Sequence, residues 1–235
     1  MRLLILIIVL IALSGCATQT IQRKSGASSS RTFNAASLAK SEVDIISEMN
    51  QQEILKNLKL LTIKLYRRNP KELSKSGLDS AETASTKIVE HIAAWEASPP
   101  TQQHWQEYFK QAFIENQEGD RVHAFMTALT SMVMASYDYK TKLFLTDSLS
   151  AQKLYNSARN IEIAAWKLSN SKHPSGEKVL ISNTMEGDIA NLSFEREFGK
   201  LIAQQDFLAL IIEDKTNRSI SRAFQNVATF VFLPI

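Results

Sequence analysis

The chain has 235 residues, 27 Lys plus Arg against 24 Asp plus Glu, and a formal net charge of +3. With both signs interspersed and no polybasic block, nucleic acid is excluded as an expected partner. A single cysteine rules out a disulfide framework, and its place at residue 16 also removes cysteine-based metal and nucleophile chemistry from the rest of the chain.

Arg2 is followed by an unbroken apolar run from Leu3 to Leu13 and then Ser14-Gly15-Cys16. A basic start, an apolar segment and small residues at a cleavage point are the parts of a secretory signal. The apolar run is about half the ~20 residues that a membrane-spanning helix needs, which argues against a retained anchor. Cysteine directly after the small residues resembles the bacterial lipobox, which implies lipidation of Cys16 once residues 1–15 are removed. Several acyl chains on one residue, at about 0.8 kcal/mol per buried methylene, make a firm anchor. Ala17 rather than aspartate follows the cysteine. By resemblance to Gram-negative lipoproteins, this implies the outer membrane, with the protein facing the periplasm.

Residues 16–34 are polar and rich in Ser and Thr, and they read as a flexible tether with a mean reach of roughly 20–25 Å. Residues 35–235 read as a single all-α domain, an antiparallel bundle of about six to eight helices. Glycine and proline are scarce, 7 and 5 in the chain, and fall mostly between segments. Ile45, Met49, Leu58, Leu61 and Leu65 recur at helical spacing, with a polar gap at Asn50-Gln51-Gln52 and a stop at Asn69-Pro70. Asp79 with Glu82 reads as an N-cap pair before a stripe of Ala81, Ala84, Ile88, Ile92 and Trp95, which Pro99-Pro100 ends. Trp105, Phe109, Ala112 and Phe113 form the next stripe. After Gly119-Asp120, Val122, Phe125, Met126, Leu129, Val133 and Tyr137 recur at three and four.

Asp147 is expected to cap a helix with Leu154, Ala158, Ile161, Ala165 and Leu168 on one face. Residues 171–187 read as a loop, with a short extended piece at 179–181. Asp188 is expected to cap a long helix carrying Ile189, Leu192, Phe198, Leu201, Leu208 and Ile212, and a last helix to span about 217–229. The ending Phe230-Val231-Phe232-Leu233-Pro234-Ile235 is apolar enough to be expected against the core. Short links between amphipathic helices suit an antiparallel bundle, and no fixed-period repeat points to a solenoid.

His91, His104, His123 and His173 stand in neither His-x-x-x-His nor Glu-x-x-His spacing, so no metal site is expected. No Gly-x-Ser-x-Gly elbow, Ser-x-x-Lys cluster or glycine-rich phosphate loop is present, so neither catalysis nor a cofactor is expected. The unusual polar residues are Arg159, Glu162, Glu195, Arg196, Asp206 and Arg218, set among apolar stripes between 147 and 218. Arg159 and Glu162 are three apart, on a helix face shared with Tyr155 and Trp166. A satisfied inter-helix network is the expected role and a polar pocket the functional alternative. Gly199 inside a helix is expected to mark a close helix crossing.

Five segments carry a family resemblance: Leu65-Tyr66-Arg67-Arg68-Asn69-Pro70, Gly119-Asp120-Arg121-Val122, Leu154-Tyr155-Asn156-Ser157-Ala158-Arg159-Asn160, Asn191-Leu192-Ser193-Phe194-Glu195-Arg196 with Phe198-Gly199-Lys200, and Phe232-Leu233-Pro234-Ile235. Together they resemble an uncharacterised family of proteobacterial envelope lipoproteins. The resemblance implies a membrane-anchored helical protein and brings no catalytic residues. The expected function is a non-catalytic accessory or interaction component of an envelope machine, with another envelope protein as partner. A carrier for lipids or small hydrophobic molecules is the alternative, and a murein-acting enzyme using Glu162 or Glu195 as acid is the third.

Overall fold

The structure is a computed structural model that describes residues 39–115, 118–186 and 189–216, together with 21–22 and 28–29. The chain divides into two units, residues 1–39 and 40–235. In the first, β1 (Ile21–Gln22) and β2 (Ser28–Ser29) pair antiparallel, so the expected tether contains a two-residue ladder. Cys16, Arg218, the helix expected at 217–229 and the apolar ending lie outside the described residues.

The second unit is all-α, a bundle of seven helices among the described residues: α1 (Glu42–Arg68), α2 (Pro70–Ser76), α3 (Ala81–Ala97), α4 (Gln102–Gln111), α5 (Arg121–Ala135), α6 (Ala151–Asn170) and α7 (Ser193–Thr216). A short hairpin, β3 (Thr184–Glu186) with β4 (Ile189–Asn191), stands before α7. Neighbouring long helices run antiparallel. Between α1 and α7, Lys64 meets Glu197 at one end while Asp44 meets Lys215 at the other. Between α6 and α7, Arg159 meets Asp206 and Ser169 meets Glu195.

Helix ends follow the chemistry of small polar residues. Ser41 caps α1 in a reciprocal box with Asp44, at 3.2 Å and 2.7 Å. Asn69 ends α1, and Pro70 opens α2 at a position where a missing N–H costs nothing. Asp120 caps α5, accepting from the His123 N–H at 2.9 Å. Two expected caps are displaced by one or a few residues. Ser80, not Asp79, caps α3, and Ser150, not Asp147, caps α6. Asp147 instead accepts the Phe144 N–H and pairs with Lys140 at 2.6 Å, closing the preceding turn.

The stretch before α7 also differs from expectation. Val179-Leu180-Ile181 is not a strand: Leu180 plugs the core, and the Ile181 backbone is held at both N–H and C=O by the Asn69 side chain. The strands lie later, and Ile189 is in β4 rather than in a helix capped by Asp188. The free N–H groups at the start of α7 find the side-chain oxygens of Asn191 and Asn183 instead. Leu192 is exposed, and the close crossing expected at Gly199 is absent: a Cβ there meets nothing within 4 Å.

The core is a large cluster with α5 at its centre and a smaller one beside it, formed by Ile92, Trp95, Met134, Ala135 and Tyr139. Every residue of α5 except His123 is buried, which is how a helix apolar on all sides must sit. The stripes read from the sequence on α3, α4, α5 and α6 are buried, apart from Phe113, which packs against the edge of the larger cluster. On α1 the polar gap is an inward contact. Gln51 is buried and donates to the Lys140 carbonyl at 2.8 Å, so the buried stripe runs Ser47, Gln51, Ile54, Leu58, Leu61, Leu65 while Met49 faces out.

Gln205 ties the middle of the bundle. Fully buried on α7, it donates to Ser136 Oγ at 3.1 Å and Ser157 Oγ at 3.0 Å and accepts from Tyr137 Oη at 3.3 Å. Replacing it by Ala removes three buried hydrogen bonds and leaves the Tyr137 hydroxyl proton without its acceptor, while Ser136 keeps the Val133 carbonyl. Gln205→Ala is expected to cost about 2–3 kcal/mol in urea unfolding at unchanged m, against less than about 1 kcal/mol for the half-buried neighbour Gln204→Ala.

Candidate functional site

Three of the polar residues singled out in the sequence converge. Arg159 on α6 reaches Glu162 at 2.9 Å and Asp206 on α7 at 2.6 Å, with its guanidinium 5.1 Å from the centre of the Tyr155 ring. The result is a clamp between antiparallel helices at the edge of the core. Burial raises the Glu162 carboxyl above its ordinary value, Arg159 opposes that, and Asp206 adds to it. Glu195 sits toward the start of α7 and accepts from Asn183 at 2.7 Å and Ser169 at 3.4 Å; Arg196 is exposed there. Glu162 and Glu195 bracket a shallow cleft of about 320 Å³ floored by Trp166 and Phe198.

Two further surfaces had no counterpart among the expected site residues. One is a recess of about 580 Å³ where α1 breaks into α2, walled by Arg68, Lys71, Lys75 and Arg121 and closed by the 173–181 loop. Asn69 pins that loop, donating to the Leu65 and Ile181 carbonyls at 2.8 Å and 2.9 Å and accepting the Ile181 N–H at 2.8 Å. The other is an apolar groove of about 250 Å³ between α1 and α7, formed by Ile46, Met49, Phe207, Leu208 and Ile211 with Asn50, Glu53 and Gln204 at its polar rim. Phe207 is 64% exposed and Met49 47%. Each surface had a sequence signal. Ile46 and Met49 lie off the buried stripe of α1, and Phe207 and Leu210 off that of α7, giving each helix a second apolar face. Arg68, Lys71 and Lys75 recur at three and four across the Asn-Pro break.

No group of three or more His, Cys, Asp or Glu residues among the described residues is arranged to hold a metal ion. No described helix is long and apolar enough to cross a membrane. Phe125, Met126, Met132, Met134 and Phe198, apolar side chains of the kind a carrier would need in a cavity wall, are buried in the interior. Comparison with known proteins finds no matching family model, no matching curated protein and no matching solved structure.

The clamp is partly exposed, so its contribution is modest. Arg159→Met and Asp206→Asn are each expected to cost about 1 kcal/mol or less in thermal or urea unfolding, and the double variant little more than either alone. His123 predicts a pH effect. Burial holds its imidazole below the ordinary value, the neighbouring Asp120 opposes, and His91 and Lys87 reinforce the depression. A base depressed in the folded state binds its proton more readily when unfolded. Stability is therefore expected to fall as pH drops through the ordinary histidine value of about 6.5 toward the lower folded one, and His123→Gln should flatten that slope.

Proposed function

We propose that this chain is an outer-membrane lipoprotein, anchored through acylated Cys16, which acts in the periplasm by docking another envelope protein rather than by catalysis. The anchor rests on Leu13-Ser14-Gly15-Cys16 behind the apolar run. The docking role rests on the α1–α7 groove. Ile46, Met49 and Phe207 are large apolar side chains held in water beside one another, although the bundle has buried its other stripes. A trough between two antiparallel helices, apolar along its floor and polar at its rim, suits one amphipathic helix of a partner, laid in with anchors at i, i+3 or i+4, and i+7.

Two experiments test the reading. Cys16→Ser should abolish incorporation of labelled palmitate; undiminished acylation would remove the anchor. A photocrosslinker placed at Phe207 in living cells should join one envelope protein. Met49→Glu with Phe207→Glu should abolish that product while leaving the unfolding temperature within a few degrees, because neither side chain is buried. Crosslinks confined to residues 217–235 of the same chain would make the groove an internal docking site. Crosslinks to lipid alone would favour the carrier. Either result would overturn the partner assignment.

A further inference from the structure

The recess at the α1–α2 junction is a separate feature from the groove, and its chemistry is that of an anion site. Five cationic groups line it, Arg68, Lys71, Lys75, Arg121 and Lys178, against the carboxylates of Glu72 and Glu177. Several of these charges are already committed. Glu72 accepts from Lys75 at 2.8 Å and from the Arg121 N–H at 2.7 Å, and the Arg121 guanidinium donates to the Ala112 and Glu115 carbonyls at 3.0 Å each. Lys178 gives one of its protons to the Ser169 carbonyl.

Arg68 and Lys71 are different. Among the described residues neither is paired with a carboxylate or a carbonyl, and the Nε–H of Arg68 is buried without an acceptor. A buried donor that meets no acceptor is costly, and a half-buried guanidinium without a carboxylate is uncommon when Glu72 stands four residues along the chain. The bundle directs that carboxylate to the start of α5 instead and leaves the Arg68 fork facing the recess.

We propose that this recess binds a phosphate-bearing small molecule, its phosphate held by Arg68 and Lys71 with Lys75 and Lys178 alongside. A planar guanidinium matches two phosphate oxygens at once, and the surplus of cations suits a dianion better than a single carboxylate. Pro70, Val179 and Ile181 supply an apolar wall beside the charges. That wall and a volume of about 580 Å³ fit an ester with a compact organic body rather than free phosphate alone. The Asn69 bridge fixes the loop opposite Arg68, so little has to be ordered on binding. The ester is either a soluble metabolite or the headgroup of an anionic phospholipid.

The test uses the mature chain, residues 16–235 produced without residues 1–15 and carrying Cys16→Ser, so that neither acyl chains nor the apolar run Leu3–Leu13 drives membrane binding. Titration calorimetry with glycerol 3-phosphate, at ionic strength matched with chloride, should show saturable binding. Arg68→Gln should weaken it about tenfold and Arg68→Gln with Lys71→Gln abolish it, whereas Lys59→Gln, an exposed lysine of α1 outside the recess, should leave it unchanged. The unliganded unfolding temperature should not fall in Arg68→Gln, because the side chain has no partner to lose; a purely structural arginine would lower it. Flotation with phosphatidylglycerol against phosphatidylcholine vesicles separates the sources. Arg68-dependent preference for phosphatidylglycerol assigns the headgroup, and binding of the soluble ester without vesicle preference assigns a metabolite. Absence of both, or binding that survives the double substitution, overturns the proposal.

Discussion

The fold depends on how the first turn of α5 is buried. A helix sunk in the core on all sides brings its unpaired N-terminal N–H groups in with it, and each one left without an acceptor costs about 1–3 kcal/mol. Here two carboxylates supply acceptors and a tyrosine holds one of them in place. Asp120 accepts from the His123 N–H, Glu72 on α2 accepts the Arg121 N–H, and Tyr66 on α1 donates its hydroxyl to Asp120 at 2.6 Å. The Arg121 side chain then turns back to cover the carbonyls of Ala112 and Glu115 at the end of α4. Burial pushes Asp120 upward, and the Tyr66 hydroxyl opposes that push; Tyr66 itself is raised far above an ordinary phenol by burial and by Asp120. The proton therefore stays on the tyrosine and the charge on the aspartate, where the helix N-terminus favours it. The positions of α1, α2 and α4 are thus set by one set of polar obligations rather than by apolar packing alone.

The far end of α5 meets the same demand in a different way. The chain leaves through Asp138 and Tyr139, two successive non-glycine residues at φ 52° and 57°. This left-handed backbone costs of order 1–2 kcal/mol per residue. It turns the chain so that both flanking tyrosines point inward. Tyr137 bonds with Gln205 and Asn50, while Tyr139 bonds with Ser131 at 3.1 Å and packs against Trp95. Two buried aromatics with satisfied hydroxyls offset the strain.

Periodicity made the helices legible because most of the apolar residues of α3 to α6 serve one core. Val122, Phe125, Met126, Leu129 and Val133 could have been placed on no other face. It misled wherever a polar side chain did core work or an apolar one did not. Gln51 interrupts the hydrophobic pattern of α1, yet it is buried, because its amide finds a carbonyl that only the folded chain provides. Met49 and Leu192 keep the pattern and face water. Caps were misplaced where two small polar residues competed, as with Asp79 and Ser80, because local sequence does not say which one will reach the third N–H. Among the candidate site residues, Arg159, Glu162 and Asp206 were recognisable because an arginine in an apolar stripe requires carboxylates. Glu195 and Arg196 share their composition but lie one helix end away, a separation that depends on where α7 begins.

The surfaces left over after this accounting are informative because stability does not explain them. On α1 the face bearing Ile54, Leu58, Leu61 and Leu65 is committed to the core, while Ile46, Met49 and Arg68 make no contribution that burial or pairing would reward. Asn69-Pro70 ends that helix, and the break also creates the concavity in which Arg68 sits. A single straight helix through residue 76 would carry Lys71 and Lys75 onto a solvated convex face, where cations are ordinary. The same two residues that stop α1 for reasons of backbone geometry thus shape the recess, and the asparagine holds its opposite wall. Core and recess are coupled through Asn69, Glu72 and Arg121, side chains that serve both.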